Sequence, residues 1–127
     1  MAPRAVNGAK IARVAVDAWP VIRGLIEAFD TPERREQLRR WLARADAAIR
    51  RLTPEGRISA RIVVLRAHLD RLDGDAGSSR VWNEQLSKLE AKRALLQGPL
   101  DARTRRQHTK KLAQDLESLW TEVFTAI

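Results

Sequence analysis

Ile11, Val14, Ala18, Ile22, Leu25 and Phe29 recur at intervals of three or four residues, while Lys10, Arg13, Asp17, Pro20, Gly24 and Glu27 mark the opposite side. This is the period of an amphipathic α-helix. Pro20 lacks an N–H and its ring crowds the carbonyl of Val16, so the helix is expected to kink there while its apolar phase continues. A second helix is expected from Thr31-Pro32-Glu33, where Thr can cap an orphan N–H, Pro suits the first helical position and Glu complements the dipole. Behind it Leu38, Leu42, Ala45, Ile49 and Leu52 step by four and three in alternation.

The same start signal returns at Thr53-Pro54-Glu55, followed by Ile58, Ile62, Leu65, Leu69 and Leu72. Trp82, Leu86, Leu89 and Leu96 carry the stepping in a fourth helix, with Arg93 at the vacant position. Leu112, Leu116, Leu119 and Val123 carry it in a fifth. An alternation of four and three is the spacing of knobs-into-holes helix packing. The links are short, at Asp30-Thr31, Thr53, residues 73–78 and Gly98-Pro99-Leu100, which makes successive helices antiparallel. The pattern predicts an all-α, up-and-down antiparallel bundle of four to five helices. It is read as one domain over residues 1–127, with residues 1–8 as a flexible arm.

Charge adds a direction to that fold. The 127 residues hold 24 Lys and Arg against 16 Asp and Glu, a formal net charge of +8. Such an excess favours polyanionic partners such as nucleic acid, anionic lipid or an acidic protein surface. An Arg- and Ala-rich composition is also what a GC-rich genome supplies, and many basic faces are merely solvated. Folded as hairpins, residues 44–66 and 88–111 would share one end and bring 14 basic residues against four acids. Acids gather instead around Glu27, Asp30, Glu33, Glu36, Asp70, Asp73 and Asp75.

Arg103, Arg105, Arg106, Lys110 and Lys111 crowd the start of the last helix behind Asp101. Cations there oppose the helix dipole, by about 0.3–1 kcal/mol each when exposed. A local choice that costs stability points to a functional surface. The ordinary alternative is that Asp101 caps the helix and solvent screens the rest.

Other chemistry finds little footing. Cysteine is absent, which excludes disulfides, thiolate catalysis and cysteine-bound zinc. Asp73, Asp75 and Glu84 have the spacing of a calcium loop, but Ser78 stands where that loop needs Gly and Arg80 would repel the ion. The segment is read as a polar connection with Ser78 or Ser79 capping the next helix. His68 and His108 lack partners at metal-ligand spacing, and no nucleotide-binding or hydrolase motif occurs. No metal, cofactor or catalytic residue is assigned. The segment from Thr53 to Leu72 has basic residues at its start, as a DNA-recognition helix would, but the preceding turn is too short for a helix-turn-helix. The N-terminal residues lack a secretory signal and no apolar run reaches membrane-spanning length, so a cytoplasmic protein is expected.

These features predict a non-enzymatic binding or adaptor protein that docks a polyanion, most simply DNA or RNA. The expected phosphate contacts are Arg103, Arg105, Arg106, Lys110 and Lys111, supported by Arg50, Arg51, Arg57 and Arg61. A second reading is a structural or assembly protein, including a homo-oligomer, that pairs through Trp120 and Phe124 on the broad apolar arc of the last helix. A third lays the kinked first helix on an anionic membrane surface, although Asp17 and Glu27 on its polar face oppose this.

Overall fold

The computed structural model describes residues 18–29, 35–72 and 77–125. Among them lie five α-helices and no strand, which is the all-α bundle that the apolar spacing predicts. The helices are α1 (Trp19–Ala28), α2 (Arg35–Arg50), α3 (Pro54–Leu69), α4 (Gly77–Leu95) and α5 (Ala102–Thr125). The chain divides into two compact units, Met1–Ala60 and Arg61–Ile127, so the boundary falls inside α3.

In the first unit α1 packs on α2. Ile22 and Leu25 on α1, and Leu38, Ala45 and Ile49 on α2, are buried as their spacing predicts. Each buried leucine or isoleucine contributes about 1.5–3 kcal/mol of transfer free energy. Pro20 sits in the first turn of α1, where its missing N–H costs no hydrogen bond. Residues 11–17, and with them the expected kink, lie outside the described residues, as do the Thr31-Pro32-Glu33 signal and residues 1–8.

Gly24, expected on the polar side, is instead half-buried beneath Trp41. A Cβ at Gly24 would come within 2.5 Å of the indole ring, so the close approach of α1 and α2 requires glycine here. The Arg44 guanidinium covers the Trp41 ring at 5.4 Å. The Thr53 start signal works as its chemistry predicts: Gly56 N–H donates to Thr53 Oγ1 at 3.2 Å, with Glu55 in the first turn.

In the second unit α4 packs on α5. The two run antiparallel: the turn through Gly98 joins one pair of ends, and Trp82 Nε1 donates to Glu122 Oε1 at 3.2 Å toward the other. The final stretch of α3 runs alongside α5, with Arg61 over the Trp120 ring and His68 against Phe124, their ring centroids 5.1 Å apart. Up-and-down order therefore holds within this unit. Leu86 and Leu89 on α4, and Leu112, Leu116, Leu119, Trp120 and Val123 on α5, are buried.

α4 begins at Gly77, whose φ of +32° is a left-handed value that suits glycine. Ser78 and Ser79 consequently stand inside its first turn instead of capping it, and Ser79 is buried. Residues 73–76, the core of the calcium-like spacing, lie outside the described residues.

Candidate polyanion-docking site

The end of the α4–α5 hairpin is built by its turn. Leu96 and Gly98 N–H groups bond back to α4 carbonyls, Leu100 N–H bonds to Gly98 O at 3.0 Å, and the chain then enters α5. Asp101 starts that helix: its Oδ1 accepts from Thr104 N–H at 2.6 Å. The Thr104 backbone bond, reinforced by the Thr104 side chain, holds the Asp101 carboxyl below the ordinary carboxylate range. Arg105 Nη2 donates to Gly98 O at 2.9 Å, tying the first turn of α5 to the link before it.

On that scaffold Arg103, Arg105, Arg106, Lys110 and Lys111 are all exposed. Arg103, Arg106 and Lys110 are three and then four residues apart and share one face, turned away from the buried Leu112, Leu116 and Leu119. Arg106 Nε donates to Ala102 O at 3.3 Å, and Lys111 pairs with Asp115 at 3.2 Å. Lys88 and Lys92, one turn apart on α4, are exposed toward the same end. Both belong to the basic half defined by residues 88–111 but lie outside the nine phosphate contacts expected from sequence. Their four-residue spacing just before the turn was the available signal.

Among the described residues, Lys88, Lys92, Arg103 and Lys110 have no acidic partner. Residues 88–111 hold eight Lys and Arg against two acids. One of those acids, Glu90, is committed to Arg66, which also bonds Asn83 Oδ1 at 3.1 Å. Phosphate groups of a polyanion would meet exposed cations on a capped hairpin end, a suitable arrangement for charge neutralisation with little sequence readout.

The supporting residues fare differently. Arg50, Arg51 and Arg57 belong to the first unit, at the Thr53 turn; Arg50 and Arg51 are exposed and Arg57 is half-buried. Arg50 pairs with Asp46 at 3.1 Å. Arg61 is only 5% exposed, and its guanidinium lies over Trp120 with 5.3 Å to the ring centroid. A buried, stacked guanidinium is not presented to an external phosphate, so Arg61 leaves the candidate set.

Trp120 requires the matching correction. It is 6% exposed, enclosed by Arg61 and an edge-on contact with Phe124 at 4.7 Å, and Phe124 is itself half-buried. Trp120 is thus covered within its own unit. Among the described residues, no group of three or more His, Cys, Asp or Glu could hold a metal ion, and no helix is long and apolar enough to cross a membrane. No protein family, curated protein or solved structure matches the chain.

Proposed function

We propose that this chain is a non-enzymatic docking protein that binds a polyanion through the end of the α4–α5 hairpin. The observation that supports this reading is the set of exposed cations Lys88, Lys92, Arg103, Arg106 and Lys110 around one capped turn, none of them in an ion pair with an acid among the described residues. The start of α5 accepts cations where its dipole favours anions, a local cost that a phosphate partner would offset. DNA and RNA offer such charge in its simplest form, and binding would be electrostatic and weakly selective.

The test is fluorescence anisotropy with a labelled duplex and a labelled single strand at two salt concentrations. The expected result is binding at low salt that weakens steeply as salt is added. Failure to bind at low salt, or affinity indifferent to salt, would remove this reading.

A further inference from the structure

Two apolar side chains stand in the middle of this charged end. Leu95, at the close of α4, is 73% exposed, and Leu100, just before α5, is 36% exposed. Gly98 N–H bonds to Leu95 O at 3.1 Å and Leu100 N–H to Gly98 O at 3.0 Å, so both leucines belong to one tight reversal that also exposes Pro99. Lys92 precedes this apolar tip, and Arg103, Arg105 and Arg106 follow it, all exposed. Asp101 lies between, but its carboxylate is engaged by Thr104 N–H.

A nucleic-acid backbone would satisfy the cations and leave the leucines in water. An anionic bilayer satisfies both, because headgroup phosphates lie at the surface and the acyl boundary lies a few ångströms beneath. We infer that the tip of the α4–α5 hairpin docks on an anionic lipid bilayer, with Leu95 and Leu100 entering the interfacial layer inside a collar of Lys92, Arg103, Arg105 and Arg106. This rests on the reading that the hairpin end binds phosphate polyanions and extends it to the headgroup phosphates of a bilayer. No spanning segment is involved: a rigid tip lies against one leaflet, and the cations supply attraction that the leucines convert into insertion.

The full chain is sedimented at low salt with phosphatidylcholine vesicles, with and without phosphatidylglycerol, and compared with a double variant, Leu95→Ser with Leu100→Ser. Both leucines are exposed, so the variant should keep its helical circular dichroism. Wild type is expected to pellet only with the anionic vesicles. The double variant is expected to lose about tenfold in vesicle affinity while binding a labelled duplex as wild type does. Equal vesicle binding by the variant overturns the inference. Binding to the duplex without binding to vesicles overturns it too, and leaves the basic-end reading standing. Binding to neither overturns both.

Discussion

The two halves of α5 are continuous in backbone and opposite in use. Residues 112–125 bury Leu112, Leu116, Leu119, Trp120 and Val123. Residues 102–111 hold no fully buried residue and carry Arg103, Arg105, Arg106, Lys110 and Lys111 into solvent. Packing holds the helix from its far half, which frees the near half to hold charge that its own dipole disfavours. The Thr53 turn shows that this charge is not required by the fold. It begins α3 with the same side-chain oxygen cap as Asp101 gives α5, but sets Glu55 in the first turn where α5 has only cations. Stability and charge are therefore separable along α5, and substitutions should separate them.

The largest effect belongs to the packed half. Leu116 has no exposed surface, so Leu116→Ala is expected to cost about 2–5 kcal/mol in urea unfolding. A cost within the range of a surface substitution would mean that the far half does not hold the helix.

Acid should act on that half as well. Burial, and secondarily the charge of Arg71, lower the pKa of His68 from 6.5 to about 4 where it packs on Phe124. The folded state then takes up a proton less readily than the unfolded state. The stability this supplies is present above about 6.5 and is lost as pH falls toward about 4. Between about pH 7.5 and about pH 5, wild type should lose more stability than His68→Gln. Parallel losses would place His68 in a solvated setting.

In the charged half the expected sign reverses. Arg103→Glu puts an acid in the first turn of α5, as Glu55 stands in α3, and should raise stability by about 0.3–1 kcal/mol. The same change should weaken polyanion binding. A variant both less stable and equally competent in binding would erase the contrast between the halves.

The smallest effect separates the two caps. The hydrogen bonds to Asp101 depress its pKa, so its stabilising contribution is present above the ordinary value of 3.8 and disappears as pH falls through the lower folded value. The stability difference between wild type and Asp101→Asn should shrink in that acid range, while the difference between wild type and Thr53→Ala should not. A constant Asp101 difference would show that the carboxylate charge is idle.

Much of the helical order is legible along the chain, because Leu112, Leu116, Leu119 and Val123 lie at the spacing that buries them. The cap at Asp101 was legible too, since an acid before an Arg-rich helical start has few other uses. What escaped was burial beyond a single stripe. Ala60, Arg61, Ile62, Val64 and Leu65 are all buried on α3, and a helix covered on several sides hides flanking positions that a four-and-three count leaves in water. The unbroken run Ile62-Val63-Val64-Leu65 was the signal. Arg61 was misplaced because it lies over Trp120, a contact between distant positions that spacing cannot show. Gly24 under Trp41 escaped in the same way. The exposed cations were readable because nothing in tertiary packing competes for them.

Phosphate neutralisation by the cations at the start of α5 is the function proposed for this end. The measurement that meets it most directly is the dependence of duplex affinity on salt, for wild type and for a triple variant of Arg103→Gln, Arg106→Gln and Lys110→Gln. Each neutralised phosphate contributes about 0.9 to the slope of log affinity against log salt, so the triple variant should bind more weakly with a slope lower by about 2.7. Equal affinity and equal slope in the two proteins would rule out phosphate neutralisation by these three side chains.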